Sequence, residues 1–337
     1  MLKRWGWPAL RLLSTVVLIL GVFALFLWTQ GKDPIRAYQD IVRMNLRSAR
    51  GLGEVAVRMA PLLLTAVGVA LPFRAGLINV GAEGQFMIGA LVGTWAGLNL
   101  PGLPPSLHIL LVILFGAVGG ALWALVPALL RALGWVNETI TTLLFNYVAP
   151  LVVGYFVFGP WRAPELAIYP QTPELLPSAR FPALPGTRLH LGFFLGLLVV
   201  AVYGYVLAKS RWGLALRAVG GNPEAARRLG LPTSRTVFLA LVLGGAVAGV
   251  AGIAEVAAIH TRLKLAISPG YGFMGFLVNW LAAANPVGIV VMAFVIALIA
   301  SGGFTLQLTQ RLPYAAVNVL MALILFVVLA KPLKGKR

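Results

Sequence analysis

Few side chains in this sequence could do acid–base or metal chemistry, and none stand at a spacing that such chemistry needs. There are no cysteines, which excludes disulfides, thiolate catalysis and Cys-ligated metal. His108, His190 and His260 lie far apart, and the first two read as interface residues at the ends of apolar runs. Neither GxxxxGK[ST] nor a strand–GxGxxG–helix pattern occurs, so any ATP used must be bound by another chain. Glu83 and Glu255 are the carboxylates set in apolar surroundings. A gradient-driven carrier would need one of them at mid-membrane, yet neither has an evident basic or ionisable partner by spacing. No Ser/His or His/Asp constellation supports an intramembrane enzyme.

Polar residues instead interrupt apolar stretches. Asn79, Glu83 and Gln85, punctuated by Gly76, Gly81, Gly84 and Gly89, suggest a discontinuous helix lining a solute pathway. Asn137, Glu138 and Asn146 do likewise in a later run, where Asn137-Glu138 reads equally as a plain helix start. Glu255 and Asn279 are isolated, and an interhelical hydrogen bond accounts for each more simply than solute contact. Trp95, Phe145, Phe156, Phe273 and Trp280 could stack on a sugar or base ring, although aromatics in spans mostly pack or anchor. The glycines of Leu243–Gly252 point to close helix packing.

One polar stretch, GGNPEAARRLGLP at Gly220–Pro232, is punctuated throughout. Asn222 is a preferred N-cap and Pro223 suits the first helical position. Glu224 complements the helix dipole at its start, and Arg227 and Arg228 do so at its end. Gly230 can close the helix in a left-handed conformation, and Pro232 stops it. The result is a short autonomous helix whose Ala225 and Ala226 offer a low-profile face. It reads as either a well-capped connector or a docking element for another protein.

The elements around these residues belong to a membrane. The chain of 337 residues is 60% hydrophobic and 11% charged, with mean hydropathy +0.91. Soluble domains are about 45–50% apolar and about 25% charged. The net charge of +18 is scattered through loops, which argues for retention at the cytoplasmic face and contact with lipid headgroups, not for nucleic acid. An all-α fold of about ten transmembrane segments is expected, with one or more short or discontinuous: Pro8–Trp28, Glu54–Leu71, Leu77–Leu98, Leu107–Leu130, Thr139–Phe158, Leu189–Ala208, Val237–Ala258, the short Tyr271–Ala283, Pro286–Gly302 and Pro313–Ala330. The distribution of Lys and Arg places both termini inside. Residues 1–337 then form one transmembrane domain with a basic cytoplasmic loop at 209–235. Its two long extracytoplasmic loops are 30–53, with an amphipathic helix in Pro34–Arg50, and the proline-rich, irregular 159–188.

Three motifs carry a resemblance across nearly the whole chain. ALRAVGGNPEAARRLGL resembles the coupling-helix region of bacterial ATP-binding-cassette importer permeases of the branched-chain amino acid, simple-sugar and nucleoside superfamily, matching at Arg217, Gly220, Asn222, Ala225, Ala226 and Gly230. RAGLINVGAEGQFMIGA (Arg74–Ala90) and GWVNETITTLLFNYVA (Gly134–Ala149) are similar to two further segments, the second found in nucleoside-type permeases. The resemblance implies a non-enzymatic permease subunit without cofactors in a bacterial plasma membrane. It also implies cytoplasmic ATPase subunits as partners, a second permease subunit and an extracytoplasmic solute-binding protein. The solute would be nucleosides, or alternatively a simple sugar or a branched-chain amino acid. GYGFMGFLVNWLAAANP departs from the nucleoside-type pattern in its middle, with Phe276, Asn279 and Trp280 where small residues are usual.

Overall fold

A computed structural model describes residues 20–166, 168–312 and 319. Among these residues there are twelve α-helices and no strand. They are α1 (described over Leu20–Thr29), α2 (Pro34–Leu46), α3 (Ala49–Arg74), α4 (Ala82–Asn99), α5 (Pro105–Ala132), α6 (Glu138–Phe158), α7 (Leu191–Lys209), α8 (Arg211–Gly221), α9 (Pro223–Arg228), α10 (Thr233–Glu255), α11 (Tyr271–Ala282) and α12 (Pro286–Gln310). Six of them, α3, α5, α6, α7, α10 and α12, are long and apolar enough to cross a membrane. The expected span Pro313–Ala330 and most of Pro8–Trp28 lie outside the described residues. Within the expected span Leu77–Leu98 the helix starts only at Ala82, and α4 is not among the six.

The contacts divide the chain into two units, Met1–Val55 with Ala297–Arg337, and Ala56–Ile296. In the second unit α10 is the centre, packed against α4 and α5. Glycine makes this possible: a Cβ on Gly249 would overlap the Gly116 carbonyl, and one on Gly252 the Phe86 carbonyl. Without side chains at the crossing, backbones approach closely enough for dispersion to replace the hydrophobic drive that lipid does not supply. The close packing expected of Leu243–Gly252 is therefore present.

Helix α4 is buried along nearly its whole length, whereas α5, α6 and α7 turn stripes such as Leu110, Leu114, Ile140, Leu151, Leu198 and Val202 outward. The segment 159–188 is irregular as expected, apart from one turn of 3-10 helix at Pro177–Ala179. It is anchored by Thr172 N–H to the Leu263 carbonyl (3.0 Å) and Leu175 N–H to the Thr261 carbonyl (2.8 Å). His108 and His190 stand at the starts of α5 and α7 as expected, but both are buried, so the expectation that they snorkel is corrected. His108 hydrogen-bonds Ser178 Oγ (2.8 Å) and the Ala96 carbonyl (3.0 Å), and His190 Nδ1 caps α7 by accepting from Gly192 N–H (3.1 Å).

In the first unit, the amphipathic helix expected in Pro34–Arg50 is α2. Asp33 caps it, accepting from Ile35 N–H at 2.9 Å.

Candidate functional site

Between α3 and α4 the chain abandons helical geometry. Gly76, at φ +78°, ends α3 in the left-handed conformation, Leu77 N–H closes on the Pro72 carbonyl (3.0 Å), and Ile78–Val80 is not helical. Backbone packed away from water and outside its own helix must find partners on another element. Helix α6 supplies them from one face, with Glu138, Thr142 and Asn146 at four-residue spacing. Ile78 N–H donates to Glu138 Oε1 (3.1 Å) and Val80 N–H to Thr142 Oγ1 (3.3 Å). The Asn146 amide donates to the Val80 carbonyl (2.8 Å) and its oxygen accepts from Gly84 N–H (2.8 Å). Arg131 Nε pairs with Glu138 Oε2 at 2.9 Å.

Within the turn, Asn79 Oδ1 accepts from Gly81 N–H (3.0 Å), and the Asn79 and Gln85 amides bond each other (3.0 and 3.3 Å). The polar groups that the sequence marked at 79, 85 and 146 are thus occupied in holding this turn together. The turn is also tied to the far end of the unit. Glu83 Oε2 accepts from Gly272 N–H at 2.7 Å, and a Cβ on Gly272 would overlap the Glu83 backbone. Arg74, the last residue of α3, donates from Nε (3.2 Å) and Nη2 (2.7 Å) to the Ala284 carbonyl, which Tyr203 Oη also reaches (2.9 Å). That carbonyl belongs to the turn between α11 and α12, where Ala283 and Ala284 sit at φ +48° and +54°. Alanine in that region costs about 1–2 kcal/mol per residue, so the turn is strained and Arg74 with Tyr203 clamps it.

The capped stretch joins the same place. Asn222 Oδ1 accepts from Ala225 N–H at 3.0 Å, Pro223 opens α9, and Gly230 closes it at φ +78°. Glu224 pairs with Arg227 (2.8 Å) and Arg228 (3.3 Å) on the exposed side. The preceding α8 was not foreseen. Its Arg217 bonds the Leu207 carbonyl, and Gly220 lies so close to α3 that a Cβ would overlap the Arg74 carbonyl and come within 3.0 Å of Gly76 N. One expectation about α9 needs correction: Ala226 is 2% exposed and faces this chain, while Ala225 and Leu229, the latter 80% exposed, form the free face.

The remaining expected pathway residues are dispersed. Phe145 packs edge-on against Trp123 (5.1 Å between centroids), and Phe273 is 49% exposed one residue from the Glu83–Gly272 bond. Glu255 does have an ionisable neighbour, His260 Nε2 at 3.6 Å, which a turn of π-helix at Val256–His260 brings round. Asn279 is fully buried, but neither amide atom has a hydrogen-bond partner among the described residues, contrary to the interhelical bond expected. Asn137 caps α6, accepting from Thr139 N–H at 2.8 Å, which is its helix-start reading. No group of metal-binding side chains occurs among the described residues. Sequence reasoning missed Thr142, Tyr203 and Gly272, and the clamp role of Arg74. Only Thr142 carried a signal, its spacing from Glu138 and Asn146.

Residues 51–329 match the family model described as branched-chain amino acid transport system / permease component. The glucose ABC transporter permease protein TsgB13 of Haloferax volcanii is 35% identical over 99% of this chain and 89% of its own length. Two Lactococcus lactis proteins are also similar. The nucleoside ABC transporter permease protein NupB is 29% identical over 95% of this chain and 91% of its own. The nucleoside ABC transporter permease protein NupC is 28% identical over 81% and 92%.

Proposed function

Because this chain belongs to the branched-chain amino acid transport system permease family, we propose that it is the membrane subunit of an ATP-binding-cassette importer for nucleosides, working by alternating access. It is not itself an enzyme, and hydrolysis falls to a separate ATPase subunit. An extracytoplasmic binding protein delivers solute. That NupB and NupC are two permeases of one organism, both similar to this chain, supports a paralogous second permease as its partner. Ten segments cross the bilayer, α4 and α11 inside the protein, with both termini and the 209–235 loop in the cytoplasm.

The observation that carries the mechanism is the contact of Gly220 with the Arg74 carbonyl. Helix α9 seats in a cleft of the ATPase through Ala225 and Leu229, and Arg217, Asn222, Pro223, Glu224, Arg227 and Gly230 keep it rigid. A force on α9 passes through α8 and Gly220 to Arg74, and from there to the Ala284 turn and to the α3–α4 turn that Asn146 holds. In this reading Asn79, Gln85 and Asn146 shape the pathway without touching solute, and Glu83 and Phe273 stand nearest to it. The test is Leu229→Asp in the reconstituted complex. The variant protein is expected to fold normally while solute-stimulated ATP hydrolysis falls by at least tenfold, on the order of a lost interface hot spot. Unchanged stimulation would remove α9 from the coupling path.

A sugar is the second reading, favoured by the 35% identity to a glucose permease. Stimulation of the same complex by nucleosides but not by glucose supports the first reading, and the reverse supports the second.

A further inference from the structure

Helix α2 presents three faces, and its rotation is fixed. Asn45 is bonded by Ser301 Oγ and donates to Thr305 Oγ1 (3.1 Å), Ile41 lies against Gly302, and Tyr38 Oη donates to the Leu20 carbonyl (2.6 Å). With that face turned inward, Ile35 and Val42 are left 68% and 45% exposed along one flank. Arg36, Arg43 and Arg47 fall within about 40° of one another on the next flank, at 3.6 residues per turn.

Beside the arginine flank lies an open cleft of ≈ 730 Å³, lined among others by Lys32, Asp33, Arg36, Asp40, Arg43 and Arg311. Cations exceed carboxylates there, four to two. Asp33 caps α2 and reaches Arg36 Nε through its other oxygen (3.7 Å), and Asp40 bonds the Gln310 amide (3.4 Å), which leaves Lys32, Arg43 and Arg311 as the surplus. The depth of the cleft follows from its neighbours. Apolar α1 and α12 both end at it, and Trp28, 71% exposed, marks the last turn of α1 as aromatics mark membrane boundaries. A surplus of guanidinium groups at headgroup depth, next to exposed aliphatic side chains, matches a ligand with an anionic head and apolar tails.

We propose that this cleft seats the phosphate of an anionic phospholipid, with Arg36, Arg43 and Arg311 on its oxygens and the acyl chains along Ile35 and Val42. Free phosphate would leave the aliphatic flank bare, and an acidic protein would need no such flank.

The test uses the full chain, delipidated in mild detergent and offered equal amounts of phosphatidylglycerol and phosphatidylcholine, with retained lipid read by native mass spectrometry. The wild type retains phosphatidylglycerol over phosphatidylcholine by about tenfold or more, since each basic residue near a surface contributes appreciably to anionic lipid binding. The variant Arg36→Gln/Arg43→Gln/Arg311→Gln loses that preference. Arg43→Gln alone, which leaves most of the cleft intact, loses part of it and serves should the triple variant fail to fold. An unchanged preference in the variants overturns the proposal. So does displacement of the lipid by millimolar inorganic phosphate, which assigns the cleft to the free anion. Weaker binding of the solute-binding protein by the triple variant, with lipid retention unchanged, also overturns it.

Discussion

The clamp on the α11–α12 turn can be broken with one substitution. Arg74→Met keeps the aliphatic stem and removes both donors to the Ala284 carbonyl (3.2 and 2.7 Å). A hydrogen bond from a charged group contributes about 1.5–3 kcal/mol. Both bonds end on one carbonyl, which keeps Tyr203 as a partner at 2.9 Å, so the loss counts once. Against it stands the strain of Ala283 and Ala284, together about 2–4 kcal/mol. Strain and clamp are of similar size, so without Arg74 the turn opens locally before the helices do. Arg74 is half-buried, which puts the loss near the lower bound. At about 1.4 kcal/mol per decade, that is roughly tenfold faster hydrogen exchange. The amides that report it are Ala284, Asn285 and Ile289, bonded to the carbonyls of Asn279, Ala282 and Asn285. Adding Ala284→Gly removes the left-handed penalty at that residue and recovers about 1 kcal/mol, or some fivefold in exchange. Exchange at these amides that Arg74→Met leaves unchanged, or that Ala284→Gly does not slow, would refute the account of a strained turn held by Arg74.

Three further outcomes follow from the same contacts. Asn146→Ala leaves Gly84 N–H and the Val80 carbonyl unmatched, and should cost about 1–3 kcal/mol for each group. A drop of several degrees in thermal unfolding, with Asn146→Asp intermediate because it still accepts from Gly84, is the expected pattern. Asn279→Leu removes a buried amide that bonds nothing among the described residues, so stability should hold or rise; a clear fall in the unfolding temperature would mean that the amide has a partner. Ala226→Glu forces a carboxylate into the packed side of α9 and should lower thermal stability, whereas Ala225→Glu should not. Equal effects on the melting temperature would contradict the inward placement of Ala226.

Composition by itself decided the solvent. A chain 60% hydrophobic and 11% charged belongs in lipid, where the backbone must satisfy itself in helices or a closed barrel, and apolar runs of about 20 residues select helices. Local chemistry decided α9 as well, because cap, first-turn proline, charge placement and terminal glycine all act within a few residues of one another. The break between α3 and α4 was legible for the same reason, since glycines and polar side chains interrupt the apolar run there. Tertiary structure decided what those side chains bind. Asn79, Gln85 and Asn146 look alike in sequence whether they face a solute or an unpaired carbonyl, and only the approach of α6 to the turn settles their hydrogen bonds. The inward face of Ala226 depends on how α9 lies against its own chain, and the clamp of Arg74 on Ala284 joins residues 210 positions apart. Spacing encodes neighbours along one helix, and these contacts run between helices whose crossings are set by packing across the whole unit.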